Sequence, residues 1–125
     1  MRNSAFVAAF FALAMTATMA SAQNVPSDIK ITDGVLTDPT GRALYTYDMD
    51  TMRGMSHCVG QCARAWPPMV AGSDAQPGGD WTIIVREDGK RQWVYKNKPL
   101  YYFSRDLPGK PPVGGANENW RIAHQ

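Results

Sequence analysis

Cysteine and histidine are scarce in this chain of 125 residues, which contains two of each. A Gly-rich phosphate-binding loop, a Gly-x-Ser-x-Gly elbow and a His-Glu-x-x-His run are absent, so the sequence signatures of common nucleotide-binding proteins and hydrolases are missing. Charge of neither sign dominates, because 13 Lys and Arg residues face 11 Asp and Glu residues. The basic residues are scattered rather than clustered, which argues against nucleic-acid binding. We therefore expect a protein that is not an enzyme and has no nucleic-acid partner.

The long apolar stretch of this chain lies at its N-terminus. Arg2 precedes a mostly apolar run over residues 5–15, and Ala-Ser-Ala at 20–22 offers a cleavage site before Gln23. A membrane-anchoring helix is the alternative, but the run is shorter than the roughly 20 residues that span a bilayer. No cysteine follows the cleavage point to accept a lipid. We predict a signal peptide over 1–22 and a periplasmic or secreted mature chain without a transmembrane segment.

The mature chain contains an internal repeat. A Leu-Tyr-x-aromatic-x-x-Asp pattern runs through Tyr45 and Asp50 and recurs at Tyr101 and Asp106. Residues present in both copies more often serve a shared scaffold than a single reaction. We expect each aspartate to fix a turn by accepting backbone N–H groups, whereas a general acid and base pair would need both carboxylates in one cleft. Residues 23–125 suffice for one domain, with repeat one at about 34–70 and repeat two at about 81–122.

Most of the mature chain is predicted to form short antiparallel strands. Residues 29–37 alternate partly around Asp33-Gly34, a hairpin turn or bulge, and residues 81–86 and 92–95 flank the turn residues 87–90. Further strands are predicted at 44–47 and 100–103, before the aspartate of each copy. Residues 58–66 form the one plausible helix, which Pro67 ends. The fold class is therefore mainly β, a small α+β domain of two repeats with one short helix.

Cys58 and Cys62 are predicted to form a disulfide bond. Export places them where disulfides persist, and a spacing of four residues brings two side chains to one face of a helix. The closed loop is so short that its entropic contribution is about 2 kcal/mol at most. A thiol redox protein is the alternative function, although its usual Cys-x-x-Cys spacing is not present.

A cluster of soft ligands precedes the cysteines. Met49, Met52 and Met55 recur every three residues and lead into His57. Thioethers and imidazole suit Cu(I), and a spacing of three lets these side chains converge in a turn. Methionine also fills irregular cores, and a disulfide would remove both thiolates from the ligand set. The sequence thus leaves open whether these four residues bind copper or pack inside the protein.

The combination of features resembles exported bacterial proteins described as predicted lipoproteins or secreted repeats of unknown function, which carry tandem Tyr-x4-Asp motifs. Besides both motif copies, the likeness includes the cysteine pair, Trp66-Pro67-Pro68, Arg86-Glu87-Asp88-Gly89 and Lys98-Pro99-Leu100-Tyr101. The resemblance implies a small exported repeat domain and carries no reaction with it. We expect a non-enzymatic binding or interaction module with an unknown protein or envelope partner and no cofactor. The alternatives are a periplasmic copper-binding protein and a thiol redox protein.

Overall fold

The computed structural model describes residue 5, residues 7–14 and residues 25–125. The predicted cleavage site before Gln23 lies outside the described residues. Across the part of the chain that the structure describes, no helix is long and apolar enough to cross a membrane.

Short antiparallel strands make up most of the regular structure, which confirms the predicted fold class. The described elements are, in chain order, β1 (Lys30–Thr32), β2 (Val35–Thr37), β3 (Tyr45–Tyr47), α1 (Gln61–Ala65), β4 (Trp81–Val85), β5 (Arg91–Tyr95), β6 (Lys98–Pro99), a 3-10 helix (Gly114–Ala116) and β7 (Trp120–Ile122). Strand β1 pairs with β2, β3 with β7, and β4, β5 and β6 form a three-stranded sheet. Every pairing is antiparallel.

Two hairpins form where turn residues were predicted. Asp33 and Gly34 connect β1 to β2 with φ angles of 49° and 80°, as a two-residue turn with two positive φ angles requires. The longer β4–β5 hairpin pairs five residues of each strand, from Trp81 with Tyr95 to Val85 with Arg91. Its tip includes Gly89 at φ 81°. Local turn chemistry therefore accounts for both hairpins.

Two of the predicted elements have different limits in the structure. The helix starts at Gln61 and not at Cys58, because Gly60 before it has φ 61° and ψ −125°, which is not a helical conformation. The predicted strand over 100–103 is not continuous. Instead, Tyr101 alone forms isolated bridges, with Tyr45 on one side and Pro68 on the other. Both partners belong to the first repeat.

The two repeats meet at Tyr45 and Tyr101, the equivalent tyrosines of the motif. The backbone N–H of Tyr45 donates to the carbonyl of Tyr101 at 2.8 Å, and the reciprocal bond measures 2.9 Å. Such a reciprocal pair between equivalent residues is the arrangement that an approximate two-fold axis produces. The contacts on either side of this pair bear out the same symmetry.

Each repeat places its last segment in the backbone ladder of the other repeat. In repeat one, the backbone carbonyl of Met69 accepts the N–H of Trp93, and the N–H of Met69 donates to the carbonyl of Leu100, each at 2.9 Å. In the equivalent place of repeat two, the carbonyl of Ala123 accepts the N–H of Leu36 at 2.9 Å, and the N–H of Ala123 donates to the carbonyl of Leu44 at 2.8 Å. The two repeats are therefore interlocked.

Two hydrophobic clusters fill the interior. The larger contains residues of both repeats, namely Ile29, Leu36, Leu44, Met69, Ala71, Trp81, Trp93, Tyr95, Leu100 and Ala123. The smaller surrounds the approximate two-fold axis and consists of Ala43, Tyr45, Cys58, Trp66, Tyr101 and Trp120. Because both clusters draw on both repeats, neither repeat encloses a core by itself.

Candidate functional site

The motif tyrosines and aspartates pair across the repeats, not within them. The hydroxyl of Tyr45 donates to Oδ2 of Asp106, and the hydroxyl of Tyr101 donates to Oδ2 of Asp50, both at 2.5 Å. Both tyrosines are fully buried, and Asp50 and Asp106 are 2% and 5% exposed, respectively. Hydrogen bonds to charged groups in such surroundings are among the stronger ones in proteins. Each copy of the motif is thus completed by the other copy.

The second oxygen of each aspartate holds a turn. Oδ1 of Asp50 accepts the N–H of His57 at 2.6 Å, and Oδ1 of Asp106 accepts the N–H of Val113 at 2.8 Å. In both copies the donor lies seven residues after the aspartate. Each aspartate therefore fixes a turn of the backbone, as the sequence suggests. Both oxygens of each carboxylate accept hydrogen bonds from other parts of the protein.

The buried tyrosines resist ionisation. Burial raises the pKa of the Tyr45 hydroxyl well above its usual value, and the hydrogen bond to Asp106 raises it further. Burial and then the bond to Asp50 do the same to the pKa of Tyr101. Burial and the charge of Asp38 also raise the pKa of Tyr102. All three phenols therefore stay protonated at pH values where they ionise in the unfolded chain.

We expect the free energy of unfolding to fall steeply above about pH 10, where phenols of the unfolded chain begin to ionise. Because folding raises these pKa values, the unfolded state releases its phenol protons at lower pH than the folded state does. Rising pH therefore favours the unfolded state, and below about pH 9 the contribution of these tyrosines to stability does not change with pH. Urea unfolding at a series of alkaline pH values measures the slope. Tyr102→Phe removes one of the three groups and should reduce that slope, and an equal slope in both proteins would contradict this assignment.

Four aromatic rings form a continuous stack beside these hydrogen bonds. Trp66 and Trp120 are parallel, with ring centroids 3.9 Å apart and an interplanar angle of 4°. Tyr47 stacks on the outer side of Trp120 at 4.3 Å, and Phe103 packs on the outer side of Trp66 at 4.5 Å. The order is therefore Tyr47, Trp120, Trp66, Phe103, with equivalent residues of the two repeats at equivalent places.

The methionine cluster lies on the surface. Met49, Met52 and Met55 are 54%, 56% and 49% exposed, and His57 is exposed as well. Met69, in contrast, is 3% exposed and belongs to the larger core cluster. The three methionines therefore do not have the core-filling role that was the alternative to copper binding.

The backbone of this surface segment is fixed to the core at both ends. Asp50 is buried and accepts the N–H of His57, so residues 50–57 form a closed loop over the Asp50 carboxylate. Lys98 donates from Nζ to the backbone carbonyl of Asp50 at 3.2 Å. We call residues 49–57 the methionine loop.

Arg86, just before the β4–β5 turn, supports the far end of the methionine loop. Arg86 donates to the Ser56 hydroxyl at 2.9 Å and to the carbonyl of Cys58 at 2.7 Å. The same guanidinium donates to Oε1 of Gln92 at 2.8 Å, and Gln92 is fully buried. The hairpin of β4 and β5 therefore positions the segment that links the loop to the cysteines. Its sequence signals were its place just before a hairpin turn and in the Arg86-Glu87-Asp88-Gly89 segment, but neither predicted these contacts.

The two cysteines form the predicted disulfide. Their sulfur atoms are 2.11 Å apart and their Cα atoms 5.1 Å apart. Cys58 lies before α1, contrary to the prediction that both cysteines share a helix. Cys58 is fully buried against Tyr101 and Trp66 in the smaller cluster, whereas Cys62 is half-buried. The bond therefore joins the end of the methionine loop to α1.

A shallow groove of about 90 Å³ lies beside the methionine loop. Met55 and Val59 form one wall, and Ile84 and Val85 of β4 form the other. Within the described residues, no group of three or more His, Cys, Asp and Glu side chains converges as a metal site would require. A metal at this surface would therefore depend on thioether ligands.

Comparison with known proteins gives a family and no relative of known activity. The family model for a secreted repeat of unknown function matches residues 28–70 and again residues 82–124, which confirms the resemblance found in the sequence. No curated protein and no solved structure matches the chain significantly. The two matched stretches together span well over half of the chain, so this protein belongs to the family of secreted repeats of unknown function.

Proposed function

We propose that this protein is an exported, non-enzymatic binding module of the periplasm or the extracellular space, and that its ligand is Cu(I), held by the methionine loop. The observation that carries the proposal is the exposure of three thioethers, each about half accessible, within seven residues. Methionine is among the residues most often buried. Three of them exposed on one loop form an apolar surface of the kind that often marks a binding site.

The chemistry of the loop suits a soft monovalent ion. The ligand atoms available are the sulfurs of Met49, Met52 and Met55 and the imidazole of His57. Thioether ligands select Cu(I) over harder divalent ions, and imidazole is also a copper ligand. The disulfide keeps both cysteine sulfurs out of this set, so the site contains no thiolate to attract zinc.

The fixed ends of the loop favour binding. Since Asp50 and His57 are joined by a hydrogen bond of 2.6 Å and Arg86 holds Ser56, the backbone that carries the ligands is already ordered. A ligand then has to order only the flexible methionine side chains, which lowers the entropic cost of binding.

We expect Met52→Leu and His57→Ala each to weaken Cu(I) binding at least as much as the roughly 10- to 100-fold that loss of an outer-shell partner costs. Affinity is measured by competition with a chromophoric Cu(I) chelator, without oxygen and with ascorbate, which leaves the disulfide intact. Met69→Leu is the matched control, since Met69 is buried, and it should bind as the wild type does. Unchanged uptake in both loop variants would remove the copper proposal.

A protein or envelope partner at the same loop is the competing function. Methionine-rich surfaces adapt to varied protein partners, and the groove between Met55 and Val85 extends the apolar surface. A wild-type protein without measurable affinity for Cu(I) would favour this function. The thiol redox alternative has less support, because attack on a disulfide requires access, and Cys58 is fully buried whereas Cys62 is half-buried.

A further inference from the structure

We infer that the outer edge of β4 is a docking site for an extended peptide, which adds a strand to the sheet and carries one apolar side chain next to basic ones. The site does not require Cu(I), because its hydrogen-bonding groups belong to the backbone of β4. Three features of the described residues lie together there: an unpaired strand edge, an apolar groove beside it, and two carboxylates at the end of the groove.

Strand β4 is at one edge of the three-stranded sheet, since β5 has the middle place. Successive residues of a strand point their backbone N–H and C=O groups to opposite sides. The N–H of Arg86, just after β4, donates to the carbonyl of Lys90, just before β5, at 2.8 Å. The even-numbered residues of β4 therefore face β5. The N–H and C=O groups of Ile83 and Val85 point the other way, out of the sheet.

These outward groups are open to a partner. Across the part of the chain that the structure describes, neither Ile83 nor Val85 forms a backbone hydrogen bond outside the sheet, whereas Trp81 exchanges two such bonds with Gly78. Val85 is also 70% exposed. A strand edge with unpaired N–H and C=O groups is a template for another strand, and extended peptides bind other proteins by adding to such edges. The open edge of β4 thus matches an extended backbone.

The groove beside the methionine loop gives the site a place for one side chain. Its volume of about 90 Å³ is far below the roughly 300 to 1,000 Å³ of pockets for drug-sized ligands, so it suits a single aliphatic side chain. Ile84 lines this groove. Residues directly opposite each other in an antiparallel pair have their side chains on the same face. A peptide residue opposite Ile84 therefore reaches the groove, and its two neighbours bond to Ile83 and Val85.

Two carboxylates lie at the end of the groove. A second shallow groove shares Val59 and Arg86 with the first and extends to Glu87 and Asp88. Both acidic side chains are exposed, and neither forms an ion pair among the described residues. The Arg86 guanidinium, in contrast, is held by three neutral acceptors. The charge at this end favours basic side chains on the partner, and in an antiparallel peptide they precede the apolar residue.

A peptide with the sequence Lys-Lys-Thr-Leu-Thr-Ser, acetylated and labelled at its C-terminus, tests the site. Binding to the full mature chain is followed by fluorescence anisotropy with a Cu(I) chelator present. The leucine lies opposite Ile84, and the two threonines lie opposite Val85 and Ile83. Methylating the amide nitrogen of the first threonine should weaken binding at least about 10-fold, because this N–H faces β4. Methylating the leucine nitrogen, which faces away, is the matched control and should leave the affinity unchanged.

The charges of the peptide are tested in the same assay. Glutamate in place of both lysines should weaken binding about 10-fold at low ionic strength, and the difference should shrink as salt screens the charges. Equal affinity of the lysine and glutamate peptides would overturn the assignment of Glu87 and Asp88 to the site.

Measurements on the protein show where the peptide binds. Amide exchange at Ile83 and Val85 should slow at least about 10-fold in the complex, because both N–H groups then donate to the peptide. Val85→Pro removes one outward N–H, a change that edge strands tolerate, and it should abolish binding. If that variant does not fold, the methylated peptides and the exchange rates still test the site. Met52→Leu, which should weaken Cu(I) binding, should bind the peptide as the wild type does, so the two proposals fail separately.

Three results would overturn the inference. The first is no binding of the lysine peptide, and the second is equal affinity of the two methylated peptides. The third is a wild-type protein that dimerises in sedimentation with slowed exchange at Ile83 and Val85, because a second copy of the chain would then occupy the edge.

Discussion

Cutting the chain between Gln76 and Pro77 is expected to give two fragments that are unfolded alone and fold when they are mixed. The cut falls in the exposed loop between the repeats, so it removes no core contact itself. Fragment 25–76 contains repeat one, and fragment 77–125 contains repeat two. Circular dichroism and amide proton dispersion measure folding of each fragment alone and of the equimolar mixture.

The reason is that each repeat lacks parts that the other repeat supplies. Fragment 25–76 has Tyr45 without Asp106, and it has Leu36 and Leu44 without the backbone partner Ala123. Fragment 77–125 lacks Asp50 for Tyr101 and also lacks Met69. About 50 residues that cannot bury a shared core are too few to offset their conformational entropy. Mixing restores all of these contacts at once.

Protein that is cut after it has folded is the control, and it should keep the spectrum of the intact chain. Association of the separate fragments should depend on concentration, because folding and binding are then the same event. If either fragment alone formed a stable monomer with dispersed amide signals, the interlocked arrangement would not be what stabilises this protein.

The sequence predicted the local features of the fold correctly. Asp33-Gly34 and the Glu87-Asp88-Gly89 turn carry their own conformational preferences, so both hairpins form where these residues indicate. The helix start was wrong because Gly60 occurs in a conformation with positive φ, and the residue type alone allows both conformations. The strand over 100–103 was wrong because its neighbours come from repeat one, which no local pattern encodes.

The repeat identified the motif tyrosines and aspartates but not how they pair. Tyr45 and Asp50 are five residues apart, and that spacing suggests that they belong together within one repeat. In the structure, Tyr45 reaches Asp106 because equivalent positions of the two repeats meet at the two-fold axis. The exposure of the methionines was likewise hidden, since a spacing of three is equally typical of a core and of a ligand set.

Asp50→Ala is expected to lower the free energy of unfolding by about 2 to 4 kcal/mol, because it removes the acceptor of two hydrogen bonds, and a group left unsatisfied costs about 1 to 3 kcal/mol. The donors are the hydroxyl of Tyr101 and the N–H of His57. The Tyr101 hydroxyl keeps only its hydrogen bond to Ser56 at 2.6 Å. A loss of this size is a large part of the stability of a small domain, which is about 5 to 15 kcal/mol. Urea unfolding followed by tryptophan fluorescence measures it.

Asp48→Ala is the matched control, since it removes the same side chain two positions earlier. Asp48 forms a surface ion pair with Arg121 at 2.9 Å, and such pairs contribute about 0 to 1 kcal/mol. Asp106→Ala, the equivalent change in repeat two, should cost about as much as Asp50→Ala, because it frees the Tyr45 hydroxyl and the Val113 N–H in the same way. The variant Asp50→Ala/Asp106→Ala should not fold at all. If Asp50→Ala lowered the free energy of unfolding no more than Asp48→Ala, the tyrosine–aspartate hydrogen bonds between the repeats would not be what holds the two repeats together. The motif would then need another explanation.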